Sequence, residues 1–209
     1  MKLEPDEEGL FEAFKEIPVV DAHEHLQPEK VRTSQHMDVF DLFVHYTRTD
    51  FLCAGMTDEQ WNQMHKPEIP QEKRWRILSK YLKEIRYGSY ARPAFIYAKH
   101  LGYDDITERN YKAISERLQA DNKPGIYRKI MVEMCNIKAA LSQARRTDFD
   151  LDFMIPVMPM DMYDDVRSWD VVEKRASDLG EKANTIDDYL EVARKGLKKW
   201  IKEGTVGLK

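Results

Sequence analysis

Residues 18–28 read PVVDAHEHLQP, and the fold turns on how this stretch is understood. Val19 and Val20 are β-branched, and Pro18 is tolerated only at the start or edge of a strand, so a strand is expected to begin here. Side chains alternate along a strand. If it runs on to His25, Asp21, His23 and His25 share one face, and Ala22 and Glu24 take the other. Two imidazoles side by side can hold one divalent cation, for which zinc is the natural choice. Asp21, one pleat deeper, could orient a ring or neighbour the ion. A bare H-x-H is a weak signal, since most instances are ordinary surface or core histidines. This one gains weight from ending an apolar strand, because parallel α/β folds place their active sites at the C-terminal ends of strands.

Outward from this stretch the pattern changes. Residues 6–16 read as a short amphipathic helix. From about 28 to 136 the chain reads as a long helical insertion. MDVFDLFVHYT spaces its apolar residues at helical intervals, and EKRWRILSKYLKEIR sets Trp75, Leu78 and Leu82 along one face. Thr57 with Gln60 forms a capping-box pattern, and Thr107 opens another helix. Short apolar runs then return: IKAALS at 137–142 and DFMIPVMPM at 152–160, with the methionines at 154, 158, 160 and 162 read as strand core and exit. About ten residues separate these two runs, too few for a regular crossover helix. Residues 185–204 form the clearest helix, with Thr185 as N-cap, acids in the first turn, lysines in the last and Gly204 as the stop. TVGLK at 205–209 begins a further strand. Strands at 18–25, 137–142, 152–160 and 205–209, with helix between, imply an α/β fold with a parallel sheet.

Composition narrows the functional classes. The 209 residues carry a formal net charge of −4, which argues against a general nucleic-acid binder. No apolar run approaches the ~20 residues of a membrane span. Residues 1–16 are acidic, without the apolar core of a secretory signal. Cys53 and Cys135 match no metal or redox spacing, as expected of reduced thiols in a cytoplasmic protein. The expected partner is a small-molecule substrate.

VVDAHEHL resembles the first-strand motif of the amidohydrolase superfamily, metal-dependent enzymes built on a (β/α)8 barrel. The resemblance implies that His23 and His25 are ligands of the catalytic metal, and that 1–209 is the N-terminal half of such a barrel. Some members carry a metal-bridging lysine at the end of strand four, which would fall at Lys209. The insertion of more than a hundred residues after the motif, with DLFVHYTRTDFLCAGMTDEQW and EKRWRIL, resembles the uronate isomerase branch. That branch's basic, aromatic stretch is not reproduced at Asp50–Met56. The expectation is therefore a metal-dependent hydrolase whose metal-activated water attacks a carbonyl-type substrate. A uronate-type sugar-acid isomerase or a decarboxylase of the same fold is the alternative. A helical binding or structural protein without catalysis is the other.

Arg48 and Arg92, with Tyr46 and Tyr97, are candidates to meet an acidic substrate, since a guanidinium fork suits a carboxylate. The commoner fate of such residues is surface charge and helix packing. His36, His45, His65 and His100 lack ligand spacing, and His45 is expected to pair with Asp41 at the surface. A (β/α)8 barrel takes about 250 residues. The expectation is a truncated barrel protein that needs further histidines and a late aspartate to be catalytic. Its open strand edges would invite association, homo-oligomers included.

Overall fold

The computed structural model describes residues 5–143, 145–146, 148–159 and 161–209. They divide into two compact units. One joins the residues up to Val31 with Gly125–Lys209, and the other is Arg32–Pro124.

The first unit is built on four parallel strands in the order β1-β2-β3-β4: β1 Val19–Glu24, β2 Ile137–Gln143, β3 Met154–Met158 and β4 Gly207–Leu208. All three pairings are parallel. Sequential, parallel, mixed with helices, this is half of a (β/α)8 barrel. β2 and β3 follow each other with no helix among the described residues between them, as the ten-residue gap implies. β4 covers less than the expected 205–209.

The two faces of the sheet differ. On one, Ala140, Ser142, Met154, Pro156 and Met158 are buried; on the other, Leu141, Ile155 and Val157 are half-buried. Of the methionines read as strand core, Met154 and Met158 are buried, and Met160 lies outside the described residues. Ile126, Tyr127, Met131, Ala140, Phe153 and Met154 form one small core. Val172, Ala176, Ala183, Tyr189 and Val192 form another, between the helices Trp169–Asp178 and Ile186–Lys202. Thr185 caps the latter by accepting from Asp188 N, and the Asp188 carboxylate returns to Thr185 N. Asp is the box partner here, where Glu or Gln is usual. The N-terminal helix Pro5–Lys15 buries none of its residues.

The second unit is helical around an aromatic core that includes Phe40, Phe43, Phe51, Met64, Trp75, Leu78 and Ile114. MDVFDLFVHYT departs from its expected helix. It forms one 3-10 turn, Val39–Leu42, and His45 then takes a left-handed backbone with φ 57°. The cause is Asp38. Its buried carboxylate caps the turn through Phe40 N and binds Arg74 Nη2 at 2.5 Å, fixing a short turn where periodicity alone favours more helix.

Candidate functional site

β1 delivers its histidines to its C-terminal end, beside the end of β2. His23 Nε2 and His25 Nε2 stand 2.7 Å apart, and their ring centroids are 4.7 Å apart. His25 Nδ1 lies 3.0 Å from the Gln143 backbone carbonyl. A carbonyl only accepts, so Nδ1 carries the proton, and Nε2 of the neutral ring presents its lone pair to His23. Lys209 Nζ, at the end of β4, is 3.0 Å from His23 Nε2. An ammonium only donates, so the lone pair of a bare His23 Nε2 would accept from it. Two ring nitrogens facing each other at this distance need a proton or a cation between them.

Asp21 and Glu24 depart from the alternation expected of them. The β1–β2 register shifts between Asp21 and Glu24, so period 2 fails across the residues that matter most. Asp21 Oδ1 accepts from His23 N at 3.1 Å, holding the backbone and not a ring. The Glu24 carboxyl lies near enough to Asp21 for the two to interact. Burial and then the neighbouring Asp21 push its pKa up to about 7.

The segment after the histidines is gripped from residues a hundred positions away. Arg146 Nη2 donates to the Leu26 carbonyl at 3.1 Å, and the Tyr127 hydroxyl to that of Gln27 at 2.9 Å. Glu29 accepts from Gly125 N and Tyr127 N. Gln143, Arg146 and Tyr127 escaped the sequence reading. No local pattern marks them, because their role exists only once β2 lies beside β1.

The donor set can be tested against a divalent cation. Two convergent imidazoles, one with its proton fixed on the far nitrogen, suit such an ion. Among the described residues, no group of three or more His, Cys, Asp or Glu side chains could hold one. Two imidazoles are fewer than the four ligands that a tetrahedral zinc ion takes.

Within the helical unit, Arg48 pairs with Asp58, both exposed, and Arg92 opens the helix Arg92–His100 with an exposed side chain. Asp41 does not pair with His45. It accepts from Asp38 N, and the His45 ring meets Tyr46 edge-on at 4.2 Å. His65 is tied to two backbone carbonyls, Trp61 and Phe43.

Among solved structures the fold has clear neighbours. Glucuronate isomerase from Caulobacter crescentus matches with a TM-score of 0.70 and 17% identity, over 96% of this chain and 47% of that one. A uronate isomerase from Bacillus halodurans C-125 matches with a TM-score of 0.69 and 16% identity, over 99% of this chain and 52% of that one. The neighbours are isomerases. The chain spans about half the length of each. No protein-family model and no curated protein matches the chain. Among the described residues no helix is long and apolar enough to cross a membrane.

Proposed function

We propose that the chain is the metal-binding N-terminal half of a sugar-acid isomerase of the amidohydrolase superfamily. The observation that carries this reading is the convergence of His23 and His25 at the end of β1, 2.7 Å between ring nitrogens. It occurs on a half-barrel whose solved neighbours are uronate isomerases. The neighbours favour this over the hydrolase expected first from the motif.

In this proposal His23 and His25 are metal ligands, not bases, and zinc is the ion expected. A bound divalent ion would polarise a substrate oxygen as a Lewis acid. The Gln143 carbonyl holds His25 in the ligating tautomer, and Asp21 holds the His23 backbone. The reading requires further ligands and a late aspartate, which a full barrel would supply.

Lys209 favours a second reading. The isomerase has no need of a metal-bridging lysine, whereas a two-metal hydrolase does, and Nζ lies 3.0 Å from His23 Nε2. One experiment separates the readings. Equilibrium dialysis against Zn²⁺ and Mn²⁺ compares the chain with H23N, H25N and K209M. The isomerase reading expects metal bound by the chain, lost in both histidine variants and kept in K209M. Loss in K209M, with loading that depends on bicarbonate, favours the hydrolase. Metal retained in H23N and H25N would sink both.

A further inference from the structure

Arg146 stands three residues beyond the end of β2, with 19% of its side chain exposed. Its guanidinium lies 3.9 Å over the Phe149 ring. Nη1 donates to the Asp148 carbonyl at 2.9 Å and to Asp148 Oδ1 at 2.7 Å. Nη2 donates to the Leu26 carbonyl at 3.1 Å. Among the described residues Nε is buried with no acceptor.

We propose that Arg146 is a positioning residue for His25, acting through the Leu26 carbonyl. The exit of β2 holds His25 at two points: Gln143 takes the ring at Nδ1, and Arg146 takes the backbone one residue on. The first contact sets the tautomer. The second keeps the ring where that contact can form. Without it, the backbone after His25 can turn, the Nδ1–H loses its carbonyl, and the proton redistributes between the two nitrogens. The residue must be arginine because its planar fork reaches Asp148 with one nitrogen and Leu26 with another. A lysine ammonium is a single point donor.

The inference rests on His25 being a ligand in the proposed site, yet its first readout needs no metal. Long-range ¹H–¹⁵N correlation on the labelled, full chain reports the His25 tautomer in wild type, R146M, R146K and R128M. Arg128 lines the same cleft and pairs with Asp150 and Asp152, so R128M controls for loss of a nearby charge. The wild type and R128M are expected to show Nδ1 protonated and Nε2 bare. R146M is expected to give averaged ¹⁵N shifts, and R146K a partial shift toward that average. Zinc affinity in R146M should fall about 10- to 100-fold, as when a ligand's supporting contact is removed.

Wild-type ¹⁵N shifts in a folded R146M overturn the proposal. If R146M does not fold, R146K carries the test, and an unchanged His25 pattern there overturns it equally. The two levels of inference fail separately. A tautomer that depends on Arg146 in a chain that binds no metal leaves the clasp standing and removes the ligand reading. Metal bound with a tautomer indifferent to Arg146 does the reverse.

Discussion

The helical unit and the strand unit use the same kinds of residue in opposite ways. In Arg32–Pro124 a block of apolar side chains is sealed: Val39, Phe40, Phe43, Phe51, Met64, Leu78 and Ile114 have no exposed surface. Even a charged pair, Asp38 with Arg74, is taken inside, with the guanidinium 4.3 Å over Phe40. In the strand unit, Val20 is 63% exposed and Val206 65%. The histidines, Lys209 and the apolar face of the N-terminal helix are exposed as well. Burial fixes stability, and exposure leaves groups available to ligands. The helical unit should answer to mutation in stability, and the end of β1 in binding.

Asp38→Ala is the strongest way to break that contrast. It leaves Arg74, 4% exposed, buried without its counter-ion. Loss of one partner of a buried pair costs about 3–5 kcal/mol. The variant also loses the bond from Phe40 N, whereas the Asp38 backbone N–H keeps its bond to the Asp41 carboxylate. Urea unfolding should register the full loss. A cost under about 1 kcal/mol, the ordinary worth of an exposed pair, would show that the pair is not what holds the Val39–Leu42 turn. Asp41 stands beside it with its own carboxyl pushed up by burial, so the folded chain takes up that proton more readily than the unfolded one and acidification favours the fold through Asp41.

A smaller loss is expected in the strand unit. Thr185→Ala removes the side-chain acceptor from Asp188 N at the head of the helix Ile186–Lys202. Caps of this kind are worth about 1 kcal/mol. A melt of the variant tests whether this helix is held at its end or by its buried face, Tyr189, Val192, Gly196 and Trp200. A change near zero points to the face.

His23→Ala should cost less still. The side chain is exposed, and such substitutions usually stay within about 0.5 kcal/mol. The same variant should lose bound metal. Stability kept and binding lost would sharpen the contrast between the units. A melt lowered as far as by Asp38→Ala would make the histidine pair a structural element of β1.

The sequence made legible what depends on neighbours along the chain. Val19 and Val20 mark β1, the apolar runs mark β2 and β3, and Thr185 with the lysines of the last turn marks the long helix. The H-x-H spacing marked His23 and His25 as a pair, and their ring nitrogens stand 2.7 Å apart although the strand's register shifts beside them. What could not be read depends on partners far along the chain. The Val39–Leu42 turn replaces expected helix because Arg74 reaches Asp38 from 36 residues away. Glu24 meets Asp21 because the β1–β2 register slips between them. The contacts of Gln143 and Arg146 to the histidine segment span 118 and 120 residues. The helix Trp169–Asp178 has Ser168 at its cap position, but that side chain makes no capping hydrogen bond, so the local signal was weak.

The smallest effect concerns pH and the same helix cap. Asp188 accepts from Asn184 N at 2.9 Å and Thr185 N at 3.0 Å. These bonds, with Thr185's hydroxyl, hold its carboxyl below the usual carboxylate range. A group whose pKa is lower folded than unfolded binds its proton more readily in the unfolded chain. Its contribution is therefore present above the unfolded value and is lost as pH falls toward the folded one. Stability of the strand unit should decline on acidification from the ordinary carboxylate pKa downward. Asp188→Asn cannot ionise and should flatten that part of the curve. Because solvent still reaches the half-buried side chain, the change should be smaller than that of Thr185→Ala at neutral pH. A pH profile of unfolding that is unaltered in Asp188→Asn would mean that the cap works through its geometry alone, without its charge.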